Sequence, residues 1–468
     1  MKLAIFWFRR DLRLTDNPGL RAALEAAETV LPVYLWSPED EGEWAPGAAS
    51  RWWLHHSLAA LDASLRDKGS RLLIRSGPAA ATLEQLVNET GAGGVFWNRL
   101  YEPAMVARDT AIKEQLREAG IEAHSCNAAL LHEPWALETG KGEPYRVFTP
   151  FWKAALQRPA PDTPRAAPRN LKAPGRWPDG ESLDALGLMP RIRWYDGLAD
   201  AWTPGEAGAL ARLDDWCEAR LGDYAAQRNR PDRDGTSAIS PHLHFGELSP
   251  RQAWHAAEAR RAELSERGIE SWLRELGWRE FAHHVLYHFP STPTEPMYEK
   301  YAAFPWREDH EAMLEAWQRG RTGIPIVDAG MRELWATGWM HNRVRMITAS
   351  LLVKNIRAPW QAGARWFWDT LVDADLANNT MGWQWTAGSG ADAAPYFRIF
   401  NPVLQGEKFD PDGAYVKRWV AELADVPAAK IHQPSESLAK GYPPPILDLK
   451  ATREEALEAL RSIAPEKG

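Results

Sequence analysis

Between Gly338 and Pro402 the chain reads GWMHNRVRMITASLLVKNIRAPWQAGARWFWDTLVDADLANNTMGWQWTAGSGADAAPYFRIFNP. Trp339, Trp360, Trp366, Trp368, Trp383 and Trp385 stand there among two acids, Asp373 and Asp375, and a tandem amide, Asn378–Asn379. Buried indoles fill volume, and each ring N–H then needs an acceptor. So many indoles among so many polar groups read as the lining of a cavity for a large planar ligand. An aromatic-rich helical core is the competing reading.

Other short strings have chemistry of their own. GTSAIS (235–240) is a small, hydroxyl-rich turn followed by helix signals, able to hold a pyrophosphate through backbone amides, Thr236, Ser237 and Ser240. An N-cap beside a turn looks the same. Glu275, Trp278 and Arg279 share one helical face by their spacing. That face is a candidate site, or simply a surface Glu–Arg pair beside a packed indole. Asn342 and Met346 stand four apart in HNRVRM and point one way, with Arg345 on the same flank.

Two kinds of scaffold must position these groups. Residues 1–130 alternate apolar runs with helix-periodic pieces. Strands are expected at 3–8, 30–36, 71–75, 94–98 and 121–124, and helices at 17–27, 50–68, 79–90 and 104–119. This alternation predicts a doubly wound parallel sheet, a Rossmann-like α/β domain. Residues 131–204 are rich in Pro, Gly and Ala and read as an interdomain connector, with a short docked helix at 145–156. From 205 to 468 helix patterns predominate, which predicts an all-helical second domain. The run Gly91–Gly94 precedes a strand instead of following one, so it is a turn and no dinucleotide fingerprint.

Bulk properties narrow the class. With 468 residues, 45% hydrophobic and 25% charged, the chain suits a soluble protein of two domains. Cys126 and Cys217 form no CxxC and fit a reducing compartment, with neither a disulfide framework nor a metal site expected. No run is apolar for the roughly 20 residues of a membrane span. The apolar N-terminal run precedes Arg9 and Arg10, the reverse of a secretory signal, so the cytoplasm is expected. A net charge of −8 argues against a generally basic nucleic-acid binder, yet a local positive face suffices for phosphate contact. The 25 tryptophans fit base or flavin stacking and one-electron chemistry.

The Gly338–Pro402 stretch, together with FWFRRDLRLTDNPGL (6–20), GTSAISPHLHFGELSP (235–250) and WLRELGWREF (272–281), resembles the DNA photolyase/cryptochrome family in content and order. The resemblance implies FAD held by Tyr224, Arg228 and the loop Thr236, Ser237, Ala238, Ile239 and Ser240. Ala238 departs from the basic residue of many relatives, which puts a side-chain contact in doubt but not the backbone cradle. Trp272, Glu275, Arg279, Arg345, Asp373, Asp375 and Asn379 complete the implied flavin set. In it Asp373 pairs with Arg345, Asp375 meets the flavin's polar edge, and Asn379 faces N5. Plant cryptochromes place an acid at the Asn379 position, so asparagine favours the reduced, anionic cofactor.

The same resemblance implies light-driven repair of cyclobutane pyrimidine dimers by electron transfer from photoexcited FAD to a flipped-out dimer. Glu275 and Asn342 hydrogen-bond the dimer, Met346 packs against it, and Trp278 and Trp385 wall the pocket. Repair enzymes for the (6-4) photoproduct carry histidine where this chain has Asn342. Trp383, Trp360 and Trp306 correspond to an electron-carrying chain. Arg343, Gln405 and Lys408 correspond to the DNA rim. WFWDTLVDADLANN and AGSGADAAP resemble the bacterial class III branch, which implies methenyltetrahydrofolate as a second chromophore, with a deazaflavin as the alternative. A cryptochrome photoreceptor and a (6-4) photolyase are the rival functions. UV-damaged DNA is the expected partner, and a monomer without metal or membrane contact is expected.

Overall fold

A computed structural model describes residues 1–393 and 397–463; the end of AGSGADAAP, at residues 394–395, lies outside the described residues. Five parallel strands, β1 (Leu3–Phe8), β2 (Thr29–Trp36), β3 (Leu73–Ser76), β4 (Gly94–Asn98) and β5 (Glu122–Cys126), form one sheet in the order β3-β2-β1-β4-β5. Helices α1 (Pro18–Ala26), α2 (Ala48–Asp67), α3 (Ala79–Thr90) and α4 (Pro103–Glu118) connect them.

Alternation along β1 explains the layering, because successive side chains point to opposite faces. Phe6 and Phe8 enter one buried cluster with Trp52 and Trp53 of α2. Ile5 and Trp7 enter the other, with Leu83 and Leu86 of α3 and Ile112 and Leu116 of α4. Both faces are covered, so β1 reads as an unbroken apolar run. Local signals set the helix ends: the Asn17 side chain accepts from the Leu20 amide just before Pro18, and Gly91, at φ 66°, ends α3 in a left-handed turn.

The connecting region carries α5 (Phe148–Leu156) and α6 (Asp196–Ala201). Beyond it come α7 (Glu206–Ala219), α8 (Tyr224–Gln227), α9 (Ser240–His244), α10 (Pro250–Glu258), α11 (Glu266–His288) and α12 (Glu311–Gln318). The remainder are α13 (Pro325–Thr337), α14 (Asn342–Ser350), α15 (Trp360–Thr370), α16 (Leu376–Ala387), α17 (Pro402–Phe409), α18 (Ala414–Trp419) and α19 (Leu449–Ser462). A π-helical segment, Leu351–Ile356, extends α14. Helices α13 to α16 build the largest apolar cluster. Within it a Cβ at Gly363 would overlap the Trp383 ring, so only glycine lets that indole rest on α15.

Polar clamps join the two halves. Glu247 accepts from Trp53 Nε1 of α2 at 2.9 Å and from the Gly205 amide at 2.7 Å, and meets His242 Nδ1 of α9 at 2.5 Å. Glu280 of α11 accepts from the amides of Leu131 and His132 at 2.9 and 3.1 Å. Burial pushes the Glu280 carboxyl up to about 7 against the pull of Arg279. The folded state therefore holds this proton more tightly than the unfolded chain, whose carboxyl titrates near 4.5. Stability from this group is present below that value and is lost as pH rises towards 7. Glu280→Gln should remove that slope, so the variant gains about 3 kcal/mol on the wild type between acidic and neutral pH. Urea unfolding across that range checks this; parallel pH profiles would contradict it. No helix among the described residues is long and apolar enough to cross a membrane.

Candidate active site

The implied site residues come from α11, α14, α16, the turn before α9 and the loop before α16. Helix α16 packs against α11, α14 and α15, so groups far apart in sequence share one region.

The turn Gly235–Ser240 is built for close approach. A Cβ on Gly235 would sit 2.8 Å from the Gln227 carbonyl oxygen. Ala238 is left-handed, with φ 50°, and reversals of this sign turn successive amides into one anion-binding concavity. Among the described residues, the amides of Thr236, Ser237, Ala238 and Ile239 donate to no protein acceptor. Helix α9 spans only Ser240–His244, so these amides, more than a long helix dipole, would carry a pyrophosphate. The Ser240 side chain also ties the turn to the loop before α16, its hydroxyl donating to Asp373 Oδ2 at 2.7 Å. The same oxygen receives Arg345 Nη2 at 2.8 Å, while Asp373 Oδ1 is buried with no partner. A buried acceptor left over and a row of free amides are what a dinucleotide-like flavin cofactor would satisfy. Tyr224 is buried beneath the Arg228 guanidinium, 5.3 Å from its ring centroid.

Asp375 caps α16. Its Oδ1 accepts from the Asn378 backbone and side-chain amides at 2.9 and 2.7 Å. Burial works to raise the Asp375 carboxyl, but His283, His244 and Arg279 hold it well below the usual carboxylate range. Asn379 spends its Nδ2 on the Ala364 carbonyl at 3.0 Å, which leaves Oδ1 as its free, accepting atom. Trp272 is buried in the α7–α11 cluster. Arg279, whose charge acts on Asp375, donates its Nη1 to the Ala129 carbonyl at 2.6 Å, at the end of the sheet domain.

On the other face, Trp278 stacks on Phe148 of α5, with centroids 3.7 Å apart and planes 9° apart. One indole face is thereby fixed. Glu275 pairs with Arg228 at 2.5 Å, so Arg228 binds to the carboxyl implied for the lesion as well as lying over Tyr224. Burial pushes the Glu275 carboxyl up and Arg228 opposes it. Asn342 is exposed at the start of α14, whose first turn is fixed by His341 Nδ1 accepting from the Arg343 amide at 3.1 Å. Arg343 donates to Asn229 Oδ1 at 2.7 Å and lies 3.7 Å from Met346 Sδ. Trp385 is half-buried, with Arg398 5.8 Å from its ring centre. Arg343 and Lys408 both lie over Phe409, at 4.6 and 5.2 Å, and Gln405 is on the same helix, α17. These groups form a cationic rim.

Trp383 and Trp360 are each 2% exposed in one apolar cluster, with Trp306 half-buried against it. The rings nearest Trp383 in this cluster include Phe367 at 5.0 Å and Trp317 at 6.2 Å. Sequence reasoning missed Phe148, Asn229, Arg398, His244 and His283 as neighbours of the site. Only the apolar string at 145–156 hinted at the first.

Comparison with known proteins settles the class. Residues 4–169 match the family described as DNA photolyase, and residues 272–462 match the FAD binding domain of DNA photolyase. The chain belongs to the DNA photolyase family. It is 48% identical to the deoxyribodipyrimidine photo-lyase of Agrobacterium fabrum over 98% of both chains, and 39% identical to Cryptochrome-1 of Arabidopsis thaliana over 98% of this chain and 70% of that one. The crystal structure of a bacterial class III photolyase from Agrobacterium tumefaciens superposes with a TM-score of 0.95 at 46% identity, covering 99% of this chain and 98% of that one. An archaeal photolyase from Sulfolobus tokodaii, solved with two FAD molecules, gives 0.85 at 33% identity, covering 98% and 100%.

Proposed function

We propose that the chain is a light-dependent photolyase for cyclobutane pyrimidine dimers in DNA. The observation that carries this reading is a flavin-type cradle linked through Arg228 to Glu275, on the helix whose Trp278 is backed by Phe148. Bound and reduced, FAD would supply a light-driven electron that opens the dimer ring and is then returned. The protein's residues bind and orient. The free amides of Thr236–Ile239 and the Arg345–Asp373 pair hold the cofactor, with Tyr224, Trp272, Asp375 and Arg279 around it. Oδ1 of Asn379, left free, would accept a hydrogen bond from the cofactor. Trp278 and Trp385 take up the two linked bases of the lesion once they have left the duplex; damaged bases are the cheapest to extrude, and stacking returns about 1–3 kcal/mol per base. Glu275 and Asn342 hydrogen-bond the dimer, and Met346 packs beside it. Asn342 has no titratable proton to lend, which disfavours the (6-4) lesion. Trp383, Trp360 and Trp306, which share one apolar cluster, would supply electrons to a bound flavin.

Arg343, Gln405 and Lys408 position the duplex without reading its sequence. Lys408→Ala should weaken binding equally on all sequences and lower the salt-dependence slope by about 0.9. Titrations of labelled duplex at several salt concentrations check this; an unchanged slope would remove Lys408 from the rim.

A second chromophore belongs, on this reading, at the carboxyl ends of β1, β2 and β4, where strand order reverses. A cleft of about 270 Å³ there is lined by Arg10, Glu41, Trp44, Met105 and Trp368. An adjoining one adds Trp36, Arg108 and His244. Burial pushes the Glu41 carboxyl up. An acid facing a pterin's amino edge, arginines for tail carboxylates and indoles for stacking suit methenyltetrahydrofolate. Extraction and chromatography of the bound chromophores tests this, and a recovered deazaflavin would overturn it. The unpaired Cys126 and Cys217 suit a reducing cytoplasm, and we take the working unit to be a monomer. Oligonucleotides carrying either a cis-syn dimer or a (6-4) product test lesion choice: only the first should be repaired.

A further inference from the structure

The flavin and lesion readings leave without a role the two buried histidines that face Asp375 at the start of α16. His283, Asp375 and His244 are 4%, 7% and 8% exposed. With Oδ1 of Asp375 committed to Asn378, its Oδ2 lies 3.5 Å from His283 Nε2 and 3.6 Å from His244 Nδ1. The other nitrogen of His283, Nδ1, meets the Arg279 carbonyl oxygen at 3.0 Å. A neutral imidazole offers one N–H and one lone pair. A ring with a carbonyl at one nitrogen and a carboxylate at the other suits both only when doubly protonated. Burial pulls the His283 imidazolium below its ordinary value, with Asp375 and the Arg279 carbonyl pulling the other way; the case for the charged ring is the two-acceptor geometry.

The arginines around the cluster are matched elsewhere. Arg345 is matched by Asp373 at 2.8 Å and Arg10 by Glu102 at 2.6 Å. Arg279 is turned to the Ala129 carbonyl and lies 3.8 Å from Glu280. His244 Nδ1 has no hydrogen-bond partner and faces the same carboxylate.

We propose that His283 is held as an imidazolium between Asp375 and the Arg279 carbonyl, and that this cation lets an anionic reduced flavin lie beside the Asp375 carboxylate. The inference rests on the reading that Asp375 meets the flavin's polar edge. Without the imidazolium, a buried carboxylate and a flavin anion would repel each other in a medium of low dielectric. His283 is thus a positioning residue for charge, distinct from the groups that touch the lesion.

The test poises the flavoprotein at fixed potentials with dithionite and mediator dyes and reads the reduced-to-oxidised flavin ratio by absorbance. His283→Gln keeps a hydrogen-bonding side chain without the charge and should lower the ratio on the order of tenfold. His283→Arg restores a cation and should recover most of it, whereas a merely steric role would fail in both variants. Nitrogen NMR of the wild-type histidines should show both His283 nitrogens protonated at neutral pH. An unchanged ratio in His283→Gln, or a neutral His283 ring, would overturn the proposal. A protein that binds no flavin would instead sink the reading of the cofactor site, and the NMR arm would still report the charge on His283.

Discussion

Trp360→Phe is expected to bring photoreduction of the bound flavin close to background while leaving repair intact once the flavin has been reduced chemically. The change keeps an aromatic ring in the buried cluster that holds Trp383, so the packing cost is limited to the part of the indole lost, on the order of 1–3 kcal/mol. What disappears is the readily oxidised indole. The two functions separate because the electron for repair comes from flavin already reduced, whereas photoreduction draws on the protein. Absorbance of the oxidised flavin under blue light with an external donor measures the first, and turnover on a dimer substrate the second. Normal photoreduction in Trp360→Phe would remove Trp360 from the path and turn attention to Trp317, which meets Trp383 edge-on at 6.2 Å.

The second large effect belongs to Glu275. Glu275→Ala is expected to lower repair yield per photon about ten- to a hundredfold, the worth of one charge-assisted hydrogen bond of about 1.5–3 kcal/mol, with flavin content unchanged. Flavin retention follows from geometry, since the amides of the 236–239 turn and the Arg345–Asp373 pair are untouched. Arg228 loses its 2.5 Å partner but is 28% exposed, so water can replace the carboxylate. Glu275→Gln should recover part of the yield, because an amide still offers the dimer a donor. Full yield in Glu275→Ala would show that the carboxyl only anchors Arg228.

Much of this architecture is legible in the chain itself. The run 3–8 is a strand as expected, and the strands expected at 71–75 and 121–124 form at Leu73–Ser76 and Glu122–Cys126. Apolar runs bounded by turns specify a parallel sheet buried on both faces. The helix at 79–90 closes where Gly91 can turn left-handed. The phosphate-type turn is visible in its small residues, but the left-handed Ala238 is not, because alanine gives no local signal for positive φ.

What the sequence hides are pairings between distant segments. Phe148 behind Trp278, Ser240 bonded to Asp373, and Arg279 drawn to Ala129 each join residues that no helical or strand period relates. Arg228 shows the limit well. Resemblance implies a phosphate ligand, while the fold pairs it with Glu275, a partner no spacing in the sequence points to. The histidines around Asp375 are equally invisible, since His283 reads along α11 as one of several histidines without distinction.

The most direct test uses an oligonucleotide with a single cis-syn thymine dimer, mixed with the reduced protein in darkness and under blue light. The account predicts recovery of absorbance at about 260 nm, where unmodified stacked pyrimidines absorb, only in the illuminated sample. No recovery in light, from protein whose flavin is bound and reduced, would contradict it and favour a photoreceptor.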